Sequence, residues 1–290
     1  MRPNWIRVRA PSAVQTSRMQ EVRDVLDRHA VWTVCQGAIC PNAAECWGAR
    51  TATFMILGKT CTRTCRFCGV PSGNPGGRVD EGEPARLAAA VAELGLKYVV
   101  VTSVDRDDLQ DAGAGLFAES VERIKRASPG ILVEVLIPDF SGDPRALNRI
   151  LASGADVRGH NVETVESLTP GLRDRRASYR QSLAVLAYLR AGANGRKRKV
   201  KSGLMLGLGE TRREIAQTFA DLREAGVDIL TLGQYLQPTS AAIPVTRFVP
   251  PGEFDELAAE ARGYGFRSVV AGPLVRSSYK AAEAYEEGCD

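Results

Sequence analysis

Apolar and polar positions along most of the chain follow a pattern typical of strands that alternate with helices. Seven short apolar runs have the length and composition of buried strands, near residues 51–57, 98–102, 131–137, 155–159, 200–206, 228–233 and 267–271. Stretches rich in Ala, Leu, Glu and Arg separate these runs and have helical composition, near residues 84–95, 114–127, 143–153, 178–191, 211–225 and 252–263. Because a helix between two strands lets them run in the same direction, this alternation predicts an α/β fold with a parallel sheet.

The number of strand–helix units favours a barrel or partial barrel over an open doubly wound sheet. About six or seven units follow one another without a change in composition that would indicate a second domain. We therefore predict a partial (β/α)6 barrel of the TIM type. In such barrels the reactive groups collect in the loops that follow the carboxyl ends of the strands. Ahead of the first strand, residues 17–30 have the apolar spacing of a helix.

Six of the seven cysteines lie within a window of 34 residues, in two groups of three. They are Cys35, Cys40 and Cys46 in the first group, and Cys61, Cys65 and Cys68 in the second. The first group lies in a predicted loop, and the second directly follows the strand predicted at 51–57. A structural zinc site takes four ligands from the protein, whereas three thiolates leave one position open. The two groups therefore predict two iron–sulfur clusters, each with one iron that no cysteine holds.

Disulfides and structural zinc are the alternative explanations of this cysteine pattern. Disulfides need an oxidising compartment, and the chain opens with charged and Pro-interrupted sequence in place of an apolar signal segment. Zinc sites commonly pair cysteine with histidine, but His29 and His160 are the only histidines and neither has ligand spacing to a cysteine group. Cys289 has no nearby thiol in the sequence and is predicted to be a bystander.

Length and composition exclude several other classes of protein. A chain of 290 residues with 44% hydrophobic residues can form one α/β barrel. The net charge of +4 does not predict binding to nucleic acid. The longest apolar run, near residues 98–101, is far too short to cross a bilayer, so no membrane association is expected. The expected location is the cytoplasm, where thiols stay reduced.

The second cysteine group resembles the CxxxCxxC signature of the radical S-adenosylmethionine superfamily. The segment is Cys61-Thr-Arg-Thr-Cys65-Arg-Phe-Cys68, with the aromatic Phe67 directly before the last cysteine. The resemblance implies a 4Fe–4S cluster held by the three cysteines, whose open iron is chelated by the amino and carboxylate groups of S-adenosylmethionine. It also implies that reductive cleavage releases a 5′-deoxyadenosyl radical, so that the cofactor carries the chemistry of C–H cleavage.

Further stretches narrow the resemblance to the lipoyl synthase family. The first cysteine group is similar to that family's CxxxxCxxxxxC triplet, and residues 276–279 match its carboxyl-terminal Arg-Ser-Ser-Tyr motif. Other matching stretches are residues 3–7, 104–108, 160–164 and 201–210. The chain departs from the family pattern at Lys280, where histidine is frequent, at Gly69, where Asp is frequent, and in the unusually basic loop 195–199.

The resemblance implies an auxiliary 4Fe–4S cluster on the first cysteine group, with a serine of the Arg-Ser-Ser-Tyr motif as the fourth ligand. The predicted ligand is Ser278, with Ser277 as the second choice; the alternative is that either serine caps a carboxyl-terminal helix. The implied organisation has three parts: residues 1–50 with the auxiliary cysteines, residues 51–265 as the partial barrel, and residues 266–290 with the serine. The two terminal extensions together would hold the auxiliary cluster.

Five residues are predicted to contact S-adenosylmethionine or the substrate on the basis of the resemblance. They are Phe67, Asn161, Glu163, Gly207 and Arg276. An amide and a carboxylate two positions apart can bind ribose hydroxyls, although Asn161 has the alternative role of a helix N-cap. Gly207 belongs to a glycine-containing stretch that is not a dinucleotide fingerprint, because Arg212 stands where the third glycine belongs. Arg276 has two predicted roles, covering the auxiliary cluster or meeting the substrate.

Two charged stretches have competing interpretations. Asp105, Asp107 and Asp108 follow a predicted strand and could suggest a magnesium site, but capping of the next helix or binding of basic groups is favoured and no metal is assigned. The basic run at 196–199 is predicted to be a solvated loop, with contact to an acidic carrier domain as the alternative.

The implied reaction inserts sulfur at C6 and C8 of an octanoyl chain that a protein carries on a lysine amide. The cofactors are two 4Fe–4S clusters and S-adenosylmethionine, and the auxiliary cluster supplies the sulfur. The expected partners are an octanoylated lipoyl domain, either the E2 component of a 2-oxoacid dehydrogenase or the glycine cleavage H protein, and an electron donor such as ferredoxin or flavodoxin. The competing hypotheses are another two-cluster radical enzyme and a non-catalytic zinc-binding module.

Overall fold

The computed structural model describes residues 3–6, 10–37, 40, 42–193 and 198–288. The chain divides into two compact units by its contacts. One, called the amino-terminal unit, comprises Val8–Thr62 and Val70–Asp156; the other, called the carboxyl-terminal unit, comprises Met1–Arg7, Arg63–Gly69 and Val157–Asp290. These two units do not test the predicted boundaries at residues 50 and 265, so the three-part division stays a prediction.

Over the residues that the structure describes, the amino-terminal unit contains three parallel strands and six helices. Its elements are α1 (Ala13–Arg28), α2 (Val34–Gly37), α3 (Ala43–Gly48), β1 (Thr51–Ile56), α4 (Glu83–Glu93), β2 (Tyr98–Ser103), α5 (Ala114–Ala127), β3 (Leu132–Leu136) and α6 (Pro144–Ala152), with a 3₁₀ turn at Phe140–Gly142. β1 pairs with β2 in a register that places Thr51 opposite Tyr98, and β2 pairs with β3 with Tyr98 opposite Leu132. Val99, Val100 and Val101 are completely buried, as expected for a parallel strand covered on both faces.

The carboxyl-terminal unit contains four parallel strands and five helices among its described residues. Its elements are β4 (Val157–Gly159), α7 (Thr169–Leu172), α8 (Tyr179–Ala191), β5 (Lys199–Leu206), α9 (Arg212–Glu224), β6 (Ile229–Gln234), α10 (Pro251–Gly263), β7 (Ser268–Gly272) and α11 (Ala281–Glu287), with 3₁₀ turns at Asn4–Ile6 and Glu166–Leu168. β4 pairs with β5, β5 with β6 and β6 with β7, each in parallel. No helix within the described ranges is long and apolar enough to cross a membrane.

The pattern of the sequence predicted the regular elements closely. Each of the seven predicted strands and each of the six intervening helices is present, with ends that differ from the prediction by a few residues. The α/β class with parallel strands is confirmed. The predicted loop that holds the first cysteine group is wrong in part, because Cys35 lies on α2 and Cys46 on α3. Helices of four and six residues are too short to show the 3.6-residue period, so packing decides whether they form.

The prediction that residues 196–199 form a solvated loop is wrong for Lys199. It is the first residue of β5, its side chain is buried, and its ammonium group donates a hydrogen bond to the carbonyl of Gly288. Gly288 ends α11, where backbone carbonyls without helical partners attract a cation. Residues 196 and 197 of the basic run lie outside the described residues, as does Cys289.

Candidate cluster and cofactor site

The first cysteine group lies on two short helices and the connection between them. The backbone N–H of Cys40 donates to the carbonyl of Cys35 over 3.1 Å, and the N–H of Cys46 donates to Asn42 over 2.9 Å. All three thiols are half-buried and none is in a disulfide. α2 and α3 both contact β1, so the strand supports the two helices that carry Cys35 and Cys46.

The surroundings of Cys35 oppose ionisation of its free thiol. Burial raises the pKa of Cys35, and the neighbouring Cys40 raises it further. A backbone N–H of Thr53 and the indole of Trp47 act in the opposite direction, because each can donate a hydrogen bond to a thiolate. Since iron binds the thiolate, a metal at this position would replace the proton that burial otherwise retains.

Cys61 follows β1 and is held by backbone hydrogen bonds on both sides. Its N–H donates to the carbonyl of Pro71, and its carbonyl accepts from the N–H of Gly73, both over 2.9 Å. Its sulfur lies 3.8 Å from a carboxylate oxygen of Asp105. The hydroxyl of Thr62 interacts with the carboxylate of Asp107 over 2.6 Å. The loops after β1 and β2 are thereby tied together at the carboxyl ends of their strands, where a reactive group is expected.

The acidic stretch after β2 binds a buried arginine. Arg106 donates from Nε to Asp108 over 2.8 Å and also donates to the carbonyls of Leu57 and Arg78. The guanidinium group lowers the pKa of Asp108 to about 2. The predicted binding of a basic group is therefore confirmed for Asp108. The alternative that the aspartates at 105, 107 and 108 cap α5 is wrong. Asp111 instead accepts hydrogen bonds from the backbone N–H groups at the start of this helix.

Cys65 and Cys68 lie in the carboxyl-terminal unit, in a loop held by Asp174. The backbone N–H of Asp174 donates to the sulfur of Cys65 over 3.3 Å. The carboxylate of Asp174 accepts from the N–H of Thr64 over 2.9 Å, and Arg176 lowers the pKa of this carboxyl. Nothing in the sequence indicated this role for Asp174, which is 109 positions from Cys65. Cys68 is exposed, and its N–H donates to the carbonyl of Cys65.

Phe67 anchors the same loop in a hydrophobic cluster. The cluster comprises Leu172, Leu208, Tyr235 and Ile243, with Phe67 packed against it. The backbone of Arg66 adds two hydrogen bonds, from its N–H to Leu172 and from the N–H of Ile243 to its carbonyl. Phe67 therefore fixes the loop between the last two cysteines. Its contact with a cofactor stays a prediction.

Asn161 and Glu163 lie half-buried beside β5. Glu163 has the left-handed φ of 68°, which is uncommon for a residue other than glycine. Its N–H donates to Gly203 and its carbonyl accepts from Met205. A side chain at Gly203 would come within 2.9 Å of the amide oxygen of Asn161, so this glycine leaves room for that amide. No helix starts at Asn161, and the alternative of an N-cap is wrong.

Gly207 is required by packing within the protein. Its φ is 93°, and a Cβ atom there would lie 2.2 Å from both the carbonyl of Arg247 and the amide of Gln234. The carboxylate of Glu210 accepts from the N–H groups of Gly207 and Leu208, which fixes the turn after β5. The close approach that this glycine permits is therefore to other parts of the chain, and a contact with S-adenosylmethionine stays a prediction.

The Arg-Ser-Ser-Tyr motif forms a turn between β7 and α11. Arg276 donates to the carbonyl of Val275 over 2.7 Å, and both serines are half-buried. α11 starts at Ala281, and its N-cap residue Lys280 makes no side-chain capping bond. The alternative that Ser277 or Ser278 caps this helix is therefore wrong.

The donor set suits iron–sulfur clusters. None of the six thiols in the two groups of three is in a disulfide, and soft thiolates are the ligands that such clusters prefer. Backbone N–H groups are directed at the sulfurs of Cys35 and Cys65, as is usual around cluster ligands. Within the described part of the chain, no three Cys, His, Asp or Glu side chains converge on the position of a single ion.

Solved structures with low sequence identity show the same fold. The structure of HydG, a maturase of the [FeFe]-hydrogenase, matches with a TM-score of 0.58 and 14% identity over 97% of this chain and 66% of HydG. Streptococcus suis SuiB bound to S-adenosylmethionine matches with a TM-score of 0.55 and 11% identity, over 77% of this chain and 50% of SuiB. The chain thus matches about half the length of SuiB.

Relatives with high sequence identity are lipoyl synthases. The lipoyl synthase of Pyrobaculum arsenaticum is 54% identical over 98% of this chain and 95% of its own length. That of Thermus thermophilus is 51% identical over 99% of this chain and 87% of its own length. A sequence model of the Radical SAM superfamily matches residues 55–233. Identity of this degree over nearly the whole chain, together with the parallel α/β fold and the cysteine groups, shows that this chain belongs to the lipoyl synthase family of the radical SAM superfamily.

Proposed function

We propose that this enzyme inserts two sulfur atoms, at C6 and C8, into an octanoyl chain that a lipoyl carrier protein holds on a lysine amide. The observation that carries the proposal is the sequence identity with lipoyl synthases over nearly the whole chain. The part of the chain that is matched contains both cysteine groups. The product is the lipoyl group, and the reaction consumes S-adenosylmethionine and electrons.

Cys61, Cys65 and Cys68 hold the radical-generating 4Fe–4S cluster. When bound, this cluster and S-adenosylmethionine supply the radical that removes hydrogen from unactivated carbon. The chain's own residues fix the loop: Asp174 holds Cys65 and Thr64 in place, and Phe67 packs on its apolar side. Asn161, Glu163, Gly207 and Arg276 are the proposed contacts to S-adenosylmethionine and substrate.

Cys35, Cys40 and Cys46 hold the auxiliary 4Fe–4S cluster, and Ser278 supplies the fourth ligand. When bound, this cluster supplies the two sulfur atoms of the product. A serine oxygen is a harder ligand than a thiolate and is suited to release when the cluster is dismantled. The half-buried position of Ser278 and its exclusion as a helix cap support this role.

The proposed protein partners are an octanoylated E2 lipoyl domain or the octanoylated glycine cleavage H protein. A ferredoxin or flavodoxin is the proposed electron donor. A mild net charge of +4 is compatible with an acidic partner, without selecting among them.

The decisive experiment compares two triple variants after anaerobic reconstitution. Replacement of Cys61, Cys65 and Cys68 by alanine is expected to abolish 5′-deoxyadenosine formation and retain one 4Fe–4S cluster. Replacement of Cys35, Cys40 and Cys46 is expected to retain cleavage of S-adenosylmethionine and yield no lipoyl product. Mass spectrometry of an octanoylated carrier, with iron and acid-labile sulfide assays, measures both. Unchanged lipoyl formation by the second variant would contradict the sulfur-donor role.

The same assays test the competing functions. Zinc without acid-labile sulfide would identify a zinc-binding module. Two clusters and 5′-deoxyadenosine without any thiolated carrier would instead identify a radical enzyme with a different substrate.

Ser278 has a separate test. Ser278→Ala is expected to form little or no lipoyl product and to retain cleavage of S-adenosylmethionine, because only the auxiliary cluster loses a ligand. Ser277→Ala is the matched control and is expected to have a milder effect. Equal product from Ser278→Ala and the unaltered protein would refute the assignment.

A further inference from the structure

The indole of Trp47 contains a buried donor without a normal acceptor. Trp47 follows Cys46 on α3 and is 3% exposed. Among the described residues, its Nε1 has no hydrogen-bond partner. A buried N–H without an acceptor destabilises the fold, so native proteins rarely retain one without a reason. The acceptor for this donor is therefore expected to be a group that binds to the folded chain.

The indole lies beside the thiol of Cys35. Its N–H is the side-chain donor next to that sulfur, although the contact to the neutral thiol does not reach normal hydrogen-bond geometry. A neutral thiol is a weak acceptor, whereas a thiolate accepts a charge-assisted and stronger hydrogen bond. The backbone N–H of Thr53 is directed at the same sulfur. The site thus has two donors for a sulfur that carries negative charge.

We propose that Trp47 is a positioning residue for the auxiliary cluster, and that its indole N–H donates a hydrogen bond to the Cys35 thiolate when iron is bound. This inference rests on the proposed function, which makes Cys35 a cluster ligand. A hydrogen bond to a ligand sulfur withdraws negative charge from the cluster, raises its reduction potential and fixes the orientation of the thiolate. Trp47 therefore helps to set the potential at which the sulfur-donating cluster is reduced.

The test uses a protein in which Cys61, Cys65 and Cys68 are alanine, so that only the auxiliary cluster contributes to the signal. Trp47→Phe in this background is expected to lower the midpoint potential in a redox titration followed by EPR. It is also expected to release iron to a chelator roughly tenfold faster, as is typical when a partner of a metal ligand is lost. Trp32→Phe is the matched control. It makes the same change in the same unit, at a ring that contacts the Lys59 ammonium group at 3.5 Å, and no shift in potential is expected.

A second substitution separates the N–H group from the shape of the ring. Benzothienylalanine at position 47 keeps the bicyclic ring but replaces N–H by sulfur. It is expected to lower the potential as Trp47→Phe does, and to remove an exchangeable proton coupling from the ENDOR spectrum of the reduced cluster. An unchanged potential and an unchanged coupling in a fully loaded variant would overturn the role of Trp47. Absence of any cluster while Trp47 is intact would overturn the proposed function itself.

Discussion

At the scale of single residues, the cysteines are held by groups far away in the sequence. Cys65 accepts a hydrogen bond from the backbone of Asp174, and the carboxylate of Asp174 binds Thr64 in the same loop. Cys61 lies beside Asp105, in the loop that follows a different strand. A thiol that is already oriented loses less conformational entropy when it binds a metal. The surrounding residues therefore prepare the ligands before any cluster is present.

The ion pair between Arg106 and Asp108 is expected to stabilise the folded protein by an amount that depends on pH. The folded-state pKa of Asp108 is about 2, below the value near 4 of an unfolded chain. The contribution of the Asp108 carboxylate to the free energy of unfolding is complete above about pH 4 and is lost as the pH falls through about 2. Asp108→Asn is therefore expected to lower the free energy of unfolding by at least about 2 kcal/mol at pH 7, because Arg106 is buried.

Unfolding of both proteins at several pH values measures this difference. The gap between Asp108→Asn and the unaltered protein is expected to narrow between pH 4 and pH 2. A gap that stays constant over this range would mean that the carboxylate does not stabilise the fold through its charge.

Replacement of Gly207 by alanine adds one methyl group and is expected to lower the free energy of unfolding strongly. In Gly207→Ala the new Cβ would lie 2.2 Å from the Arg247 carbonyl, at a φ of 93° that alanine rarely adopts. Strain and overpacking together are expected to cost about 2–5 kcal/mol in the free energy of unfolding. Gly252→Ala is the control, since its Cβ position on α10 has no atom from another segment of the chain within 4 Å. Chemical denaturation of both variants measures the contrast, and equal stabilities would contradict the packing argument.

At the scale of elements, buried polar contacts fix α11, which directly follows the Arg-Ser-Ser-Tyr motif. Lys199 at the start of β5 binds the Gly288 carbonyl at the helix end, and Ser268 on β7 donates to Glu287. A seven-residue helix is too short to be stable alone, so these contacts and its buried face must stabilise it. The segment that follows Ser278 is therefore attached to β5, which is far from it in the sequence, as well as to the preceding strand β7.

Lys199→Met tests this attachment. Methionine keeps most of the side-chain volume but cannot donate to Gly288, so α11 is expected to open more often. Hydrogen exchange followed by mass spectrometry should show faster exchange for Ala281–Glu287, while β1 remains protected. Lys97→Met, at an exposed lysine, is the control and is expected to leave α11 unchanged. Unaltered exchange of α11 in Lys199→Met would show that the hydrogen bond does not hold the helix.

At the scale of the whole molecule, stability is expected to depend on cluster loading. Each proposed cluster binds several cysteines of the native chain at once, so bound clusters are expected to stabilise the native state by mass action. The reconstituted protein is expected to melt roughly ten degrees above the iron-stripped protein. Anaerobic calorimetry at matched iron content measures the shift. Each triple cysteine variant should retain about half the iron and part of the shift; equal melting temperatures with and without iron would contradict the prediction.

The sequence by itself determined the order of strands and helices, the place of the second cysteine group after β1 and the family resemblance. These features depend on neighbours in the chain: apolar periods of a few residues, turn residues such as Gly58, and motifs with fixed spacing. Only the tertiary structure decided that Cys35 and Cys46 lie on short helices, that Lys199 is buried, and that Trp47 lies beside Cys35. These features depend on packing between segments that are distant in the sequence, which local periodicity does not record.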